Sequence, residues 1–492
     1  MNIEKIKTLG ELKKAGYQSK SIKDELRGNL ITSLKTGNKL FDEIKGYEET
    51  VIPQLQTAIL SRHNILLLGL RGQAKTRLAR LMIHLLDEYI PVIKGSELND
   101  DPLRPISRYG SDLIAEMKDE TPVEWQHRNE RYTEKLATPD VTVADLIGDL
   151  DAIKAATLKL TYADERVIHY GLIPRSHRSI FVINELPDLQ ARIQVALFNI
   201  LQEGDIQIRG FKLRLPLDLQ FVFTANPEDY TNRGSIVTPL KDRIGSQILT
   251  HYPHSIEIAQ SITKQEAKVP TDQEKNIVIP QLLHDLIEQL AFEARKSEFI
   301  DQKSGVSARL TISAFENLYS VIQRRMLING EEKSIARIND LYGLIAALTG
   351  KVELVYEGEL EGINNVAIQL ISKSIRSQFI NYFPDPDKMK KSKLKNPYQE
   401  IIHWFNEGNT LDLMHTASNQ DYEKLLKNIP GLSEVVKNYT KPADKAEQLL
   451  LTEFVLHGLA EYSQISKKKL VSNTSFRDLV GSIFNMKDEE EE

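Results

Sequence analysis

The residues best suited to chemistry lie in one short motif, Gly69-Leu70-Arg71-Gly72-Gln73-Ala74-Lys75-Thr76. The pattern G-x-x-x-x-G-K-[ST] is typical of a loop whose consecutive N–H groups surround a phosphate. Lys75 is predicted to reach the β- and γ-phosphates of ATP, and the Thr76 hydroxyl is predicted to bind Mg²⁺. The candidate nucleotide contacts are Gly69, Gly72, Gln73, Ala74, Lys75, Thr76 and Arg77.

One position of this motif departs from the pattern, because Ala74 stands in place of the second glycine. Alanine costs little there if its φ is negative, and more if its φ is positive. An ordinary strand–turn–helix with a chance Lys-Thr is the alternative interpretation. The strand before the motif and the helix after it favour the phosphate loop.

A second candidate group follows the apolar run 180–183, where Asn184 and Glu185 come in succession. Nucleotide hydrolases of this type usually carry Asp-Glu after such a strand. Glu185 is suited to act as a general base on the attacking water. Asn184 can accept a hydrogen bond from a Mg²⁺-bound water but adds no negative charge. A buried strand that simply ends in two polar surface residues is the alternative.

A third candidate is Asn226, which follows the apolar segment Phe221–Ala225. Ligands of open α/β sheets bind at the carboxyl ends of the strands, where this residue would lie. Its amide is suited to hold the attacking water or the γ-phosphate. Taken alone, Asn226-Pro227 is only a turn signal.

The elements that position these groups follow from hydrophobic spacing. Asn64–Gly69 predicts a short buried strand, and Lys75–Asp87 predicts a helix with an apolar face formed by Leu78, Leu81, Met82, Leu85 and Leu86. Strands that alternate with helices indicate a mostly parallel sheet covered on both faces. The predicted fold class is α/β, with a P-loop αβα core, a following all-α lid and a C-terminal helical region.

Changes in pattern along the chain predict six segments. They are a helical extension (1–40), the ATPase core (41–253, with a helix insert at about 145–175 and a hairpin at 205–215), a helical lid (254–382), a linker (383–397), a helical C-terminal domain (398–486) and an acidic tail (487–492).

Composition excludes several classes of function. The chain has 492 residues, 41% of them hydrophobic, and a formal charge of −6, which gives no general attraction to nucleic acid or to anionic membranes. With no cysteine it has no disulfide framework, thiolate zinc site or cysteine nucleophile. The first residues lack a signal peptide and no apolar run is long enough to span a bilayer, so we expect a cytoplasmic protein without membrane insertion.

Together these segments resemble the AAA+ ATPases, and within them the MoxR-like and magnesium-chelatase-ATPase-subunit-like group, over about residues 40–355. Besides the three motifs, the stretches Glu185–Gln190 and Leu201–Gly204 carry the resemblance. It implies ATP and Mg²⁺ as ligands and a homo-oligomer, most commonly a hexameric ring.

The resemblance also implies two functional arginines. Pro239–Arg243 matches the segment that holds an arginine finger, so Arg243 is expected to reach the nucleotide of a neighbouring subunit, with Arg233 as the second choice. Gly305–Arg309 matches the sensor 2 segment of the lid, so Arg309 is expected to contact the γ-phosphate of its own subunit. A planar, permanently charged guanidinium suits both roles.

The function implied first is the remodelling or activation of a protein partner, which would be a separate polypeptide bearing a von Willebrand factor A domain. A magnesium chelatase ATPase subunit, acting on a porphyrin, is one alternative. Another is a nucleotide-gated scaffold with weak hydrolysis, which Asn184 favours. A nucleic-acid motor or transcription activator is disfavoured, because the chain has no Gly-Ala-Phe-Thr-Gly-Ala loop and no basic helix-turn-helix.

Overall fold

The structure is a computed structural model that describes residues 3–160, 164–203, 205–206, 208, 215–227, 235–391, 396–470 and 473–479. The chain forms two compact units, Met1–Tyr252 and Pro253–Glu492. A search of the described residues finds no helix with the length and apolar character needed to cross a bilayer. The predicted acidic tail lies outside the described residues.

A five-stranded parallel sheet organises the first unit, and it confirms the predicted α/β fold. Its strands, labelled in chain order, are β1 (Ile65–Leu68), β2 (Tyr132–Leu136), β3 (Ser179–Asn184), β4 (Leu219–Ala225) and β5 (Ser246–Leu249). Their spatial order is β5-β1-β4-β3-β2, and every neighbouring pair is parallel. Strand β4 therefore lies between β1 and β3, and all five carboxyl ends lie on one edge of the sheet.

Successive residues of a strand pack alternately into two separate hydrophobic cores, one on each face of this sheet. Ile65 and Leu67 belong to one core, which also contains Ile22, Leu26 and Leu30 from the N-terminal helices. Leu66 and Leu68 belong to the other core, together with residues of helix Ala191–Glu203. A period of two along a strand places neighbours on opposite faces, so these apolar runs require cover on both sides.

The α-helices of the first unit vary from one turn to four. They are Leu9–Lys14, Ile22–Thr36, Val51–Leu60, Lys75–Leu81, Arg108–Met117, Val143–Leu146, Ala152–Leu158, Leu172–Arg175, Ala191–Glu203 and Thr238–Arg243.

The helix after the phosphate loop is shorter than the sequence predicts. It is α-helical over Lys75–Leu81 and continues as a 3₁₀ turn over Met82–Leu85. All five residues of the predicted apolar face are nevertheless buried. Tightening of the last turn to 3₁₀ geometry is common at helix ends and does not disturb this face.

Among the described residues of the first unit, three antiparallel strand pairs accompany the main sheet. Within the predicted insert, Gly148–Leu150 pairs with Ile168–Tyr170. At the predicted hairpin, Asp205–Ile206 pairs with Leu215–Pro216, and the turn that joins them lies outside the described residues. The third pair, Tyr89–Ile93 with Val123–His127, was missed because its polar residues hide the alternation.

The second unit is mostly helical. Its α-helices are Ile256–Glu266, Thr271–Asn276, Gln281–Ala294, Arg309–Asn329, Ile345–Thr349, Tyr356–Glu361, Ile363–Tyr382, Pro386–Lys391, Gln399–Asn406, Asn419–Lys427, Leu432–Tyr439 and Lys445–Glu461.

A single hydrophobic core joins the predicted lid to the predicted C-terminal domain. Leu286 and Phe379 from the lid segment share this core with Phe454 from the later segment. The rings of Phe379 and Phe454 lie 5.6 Å apart between centroids. The predicted linker 383–397 therefore does not separate two cores, and it contains helix Pro386–Lys391.

The second unit also contains strands where the sequence predicts only helices. Leu411–Met414, Asn473–Arg477 and Ser466–Lys469 form a three-stranded antiparallel sheet. Ile277–Val278 and Ser334–Ile335 form a short parallel pair. Segments this short carry little periodicity, and Ser-Lys-Lys-Lys has weak β propensity, so only tertiary pairing makes it a strand.

Candidate functional site

The phosphate-loop motif connects the end of β1 to helix Lys75–Leu81, as the sequence predicts. Two of its residues have positive φ, Gly72 at +73° and Ala74 at +55°. Ala74 therefore adopts the left-handed conformation in which an alanine is more costly than the usual glycine. Gly69 has a different reason to be glycine, because a Cβ there would collide with the side chains of Thr250 and Gln73.

Three hydroxyl groups hold the loop in shape. The Tyr47 hydroxyl donates to the Gln73 carbonyl at 3.0 Å, and the Thr250 hydroxyl donates to Gln73 Oε1 at 2.7 Å. The Tyr252 hydroxyl donates to the Arg71 carbonyl at 2.9 Å. Burial raises the pKa of Tyr47 to about 12, so this phenol remains a donor at neutral pH.

The ammonium group of Lys75 connects the loop to β4. Lys75 Nζ donates to Asn226 Oδ1 at 2.7 Å, to the Leu70 carbonyl at 2.9 Å and also to the Gly69 carbonyl. The parallel pairing of β1 with β4, which sets Leu68 beside Ala225, brings the two side chains together. Two separately predicted residues, 151 positions apart, thus lie in direct contact.

Thr76 and Asn184 form the second contact between predicted residues. Thr76 Oγ1 donates to Asn184 Oδ1 at 3.4 Å, and Thr224 Oγ1 donates to the same oxygen at 3.0 Å. Thr224 also accepts a hydrogen bond from the backbone N–H of Glu185 at 3.1 Å. One hydroxyl of β4 therefore holds both residues of the Asn-Glu pair at the end of β3.

The other end of the Asn184 amide contacts a carboxylate that the sequence analysis did not select. Asn184 Nδ2 donates to Glu134 Oε1 at 2.6 Å. Glu134 Oε2 accepts from Arg80 Nε at 3.0 Å and from the Tyr132 hydroxyl at 3.1 Å. Because a carboxylate only accepts hydrogen bonds, this contact fixes the amide with Nδ2 toward Glu134 and Oδ1 toward Thr76.

Glu185 occupies an uncommon backbone conformation. Its φ is +55°, in the left-handed region that residues other than glycine rarely adopt. Such conformations cost on the order of 1–3 kcal/mol and cluster at functional sites, where the surrounding structure enforces them. Here the hydrogen bond to Thr224 contributes to that enforcement.

Arg77 and Arg243 make side-chain contacts outside the group formed by Lys75, Thr76, Asn184 and Asn226. Arg77 forms an ion pair with Glu43 at 3.1 Å. Arg243 donates to Gln202 Oε1 at 2.7 and 2.9 Å and lies over the Phe198 ring, 5.4 Å from its centroid. Arg309 is an exposed residue that begins helix Arg309–Asn329 of the second unit. Arg233 lies outside the described residues.

Five residues that hold the site in place were missed by sequence analysis, and the sequence signals that could have revealed them differ in strength. Thr224 carries a signal, since it is a polar residue that follows three apolar residues near the end of a mostly apolar strand. Glu134 carries less, because polar residues surround it in β2. Tyr47, Thr250 and Tyr252 carry none, because nothing local relates them to loop residues 26, 177 and 181 positions away.

The oxygen atoms at the base of the loop fit a hard divalent cation. Thr76 offers a hydroxyl and Asn184 an amide oxygen, and Mg²⁺ prefers oxygen ligands shared with phosphates and waters. The donor set therefore fits the predicted Mg²⁺.

Comparisons with known proteins give similarities of fold. No family model matches the chain. It is similar to the solved structure of a proposed ATPase from Cytophaga hutchinsonii, with 18% sequence identity over 74% of this chain and 98% of that chain and a TM-score of 0.28. It is also similar to the BchI–BchD complex of magnesium chelatase, with 18% identity over 64% of this chain and 97% of that chain and a TM-score of 0.34. It is also similar to NtrX from Brucella abortus in complex with ADP (12%, 53% and 46%, TM-score 0.29), of which it spans less than half the length. These similarities concern the fold alone.

Proposed function

We propose that this chain is an ATPase of the AAA+ class that binds ATP with Mg²⁺ and hydrolyses it to ADP and phosphate. The observation that carries the proposal is the meeting of Lys75 and Thr76 with Asn226 and Asn184 at the carboxyl edge of the sheet. Each of the four belongs to a motif whose sequence alone predicts phosphate chemistry.

Binding would use the loop backbone and Lys75. The N–H groups at the start of helix Lys75–Leu81 favour negative charge, and the loop conformation is set by Gly72 and Ala74. An ammonium has three donors, and Lys75 directs three hydrogen bonds to Gly69, Leu70 and Asn226. A γ-phosphate oxygen would replace one of these acceptors, so the Lys75 side chain is already directed along the loop.

Thr76 and Asn184 would hold Mg²⁺, which neutralises charge on the β- and γ-phosphates when bound. Asn184 contributes its Oδ1, either directly or through a water. The hydrogen bonds from Thr76 and Thr224 to this oxygen keep it at the base of the loop.

Glu185 would act as the general base. The carboxylate takes a proton from water, the water oxygen forms a bond to the γ-phosphorus, and the bond from that phosphorus to the bridging oxygen breaks to release ADP. Asn226 would orient the water or the γ-phosphate with its amide nitrogen, since its oxygen faces Lys75. The enforced backbone of Glu185 supports this role, because a fixed base keeps its distance to the water.

Assembly into a ring, most commonly a hexamer, would complete the site with two arginines. Arg243 would enter the site of a neighbouring subunit, after exchanging its contact with Gln202 for phosphate oxygens. Arg309 would contact the γ-phosphate from the helical unit of its own chain. Arg77 would contribute near the loop after leaving Glu43.

The biological role proposed for this chain, acting in the cytoplasm, is the remodelling or activation of a separate protein with a von Willebrand factor A domain. It is supported by the resemblance of the motifs to the MoxR-like and magnesium-chelatase-like group. The test is ATP affinity by calorimetry together with phosphate release, followed by capture of partners on Glu185→Gln loaded with ATP. Absence of ATP binding would refute the proposal.

A nucleotide-gated scaffold is the second candidate, and Asn184 is the observation that favours it. An amide lacks the negative charge that usually holds Mg²⁺ here. If the wild type releases no phosphate at any Mg²⁺ concentration while Asn184→Asp does, the scaffold is the correct assignment.

A further inference from the structure

We propose that Glu134 supplies the carboxylate missing from Asn184, acting as a positioning residue for the Mg²⁺ site through the Asn184 amide. The inference rests on the proposed function, since it assumes that Mg²⁺ binds with the nucleotide. It assigns a task to a residue of β2 that belongs to none of the recognised motifs.

The first support is the geometry of the pair. Asn184 Nδ2 and Glu134 Oε1 are 2.6 Å apart, which is short even for a hydrogen bond to a charged acceptor. The donor end of the amide is held toward Glu134, so the acceptor end faces Thr76 and Thr224. A rotated amide would set Oδ1 against the carboxylate, an acceptor facing an acceptor, and would lose the hydrogen bond to Glu134.

The second support is electrostatic. A carboxylate hydrogen-bonded to an amide N–H polarises the amide and makes its oxygen a stronger ligand. The pair Glu134–Asn184 can thereby present part of the negative charge that a single aspartate would carry. Partners of this kind typically change metal affinity by about 10–100-fold when they are removed.

The competing interpretation is that Glu134 only pairs with Arg80. That ion pair has an N–O distance of 2.9 Å, but the Arg80 side chain is 61% exposed and the Glu134 side chain only 22% exposed. Solvent and salt screen an exposed guanidinium, so the pair contributes little to stability. Two variants separate the interpretations: Glu134→Gln removes the charge, and Arg80→Gln removes only its partner.

The test measures metal binding rather than turnover, with Mn²⁺ as a spectroscopic probe for Mg²⁺. Mn²⁺ affinity is measured by electron paramagnetic resonance on the ADP complex of the full chain, and ADP affinity is measured separately in EDTA. Glu134→Gln is expected to raise the Mn²⁺ Kd about tenfold or more. The ADP affinity of Glu134→Gln in EDTA should equal that of the wild type. The control variant Glu124→Gln, which changes an exposed glutamate of another strand, should keep the wild-type Mn²⁺ Kd.

The decisive variant is the double substitution of Glu134→Gln with Asn184→Asp, which moves the carboxylate to its usual place. Restoration of Mn²⁺ affinity to within about threefold of wild type would support the inference. Equal Mn²⁺ affinity in wild type and Glu134→Gln would overturn it, as would an equal loss in Arg80→Gln. Failure of the wild type to bind ADP in EDTA would instead remove the proposed function itself.

Discussion

Lys75 Nζ lies 2.7 Å from Asn226 Oδ1, so the phosphate loop and the end of β4 are joined by a direct hydrogen bond. This contact connects the residue proposed to bind the nucleotide with a residue proposed to act on the attacking water. Movement of one side chain toward a γ-phosphate therefore changes the hydrogen bonding of the other.

Removal of the ammonium is expected to abolish tight ATP binding. Lys75→Ala should weaken ATP affinity on the order of a hundredfold, since hydrogen bonds to charged groups contribute up to about 3 kcal/mol each. Calorimetry with ATP measures the change. Lys35→Ala, at an exposed helical position of the same unit, is the control and should leave affinity intact. Unaltered binding by the Lys75 variant would refute the phosphate-loop assignment.

Ala74 should be a site where glycine stabilises the protein. Its φ of +55° is strained for alanine, so Ala74→Gly is expected to raise the free energy of unfolding by up to about 1 kcal/mol. Ala115→Gly, within helix Arg108–Met117, should lower it by about 1 kcal/mol. Chemical denaturation of both variants measures these two changes in the free energy of unfolding, which should have opposite signs. A loss of stability in Ala74→Gly would show that Ala74 is not strained.

Arg243 should be needed for hydrolysis but not for ATP binding. Arg243→Ala is expected to retain ATP affinity and lose about 10³-fold in rate, as for other arginines supplied in trans. Gln202→Ala is the control, because it removes only the acceptor that Arg243 contacts within its own chain. Glu185→Gln subunits cannot hydrolyse ATP themselves but retain Arg243. Adding them should rescue Arg243→Ala sites only where the two kinds of subunit mix in one ring. A fully active monomer at low concentration would exclude the shared site.

The free energy of unfolding of the second unit should fall as pH rises from about 4.5 to 7, because the Glu288 carboxyl loses its proton over this range. Burial raises the pKa of this carboxyl to about 7, so the folded state holds its proton more tightly than the unfolded chain does. The contribution of Glu288 to the free energy of unfolding, at most about 3 kcal/mol, is fully present below the pKa of this carboxyl in the unfolded chain. It is lost as pH rises through 7.

Glu288→Gln should remove this dependence and be more stable than wild type at pH 8. The difference between the two unfolding free energies across pH 4.5–8 is the measurement. Glu298→Gln, at an exposed position of the same unit, should follow the wild type. A parallel pH profile for wild type and Glu288→Gln would show that this carboxyl does not titrate differently on folding.

The sequence by itself determined the local parts of the site. Gly69, Lys75 and Thr76 could be placed on a loop between a strand and a helix because their spacing and the flanking apolar runs are local properties. The parallel sheet was predictable for the same reason, since β1, β3 and β4 are mostly apolar runs. The second unit's sheet was not, because Ser466–Lys469 becomes a strand only through its partner.

Tertiary structure alone decided which side chains meet. Parallel pairing of β2 with β3 brings Glu134 to Asn184, 50 residues away, and pairing of β4 with both β1 and β3 brings Asn226 to Lys75 and Thr224 to Asn184. Tyr47, Thr250 and Tyr252 likewise reach Gln73 and Arg71 of the loop only through the tertiary fold. Strand order and register bring distant positions together, and neither leaves a periodic signal in the sequence.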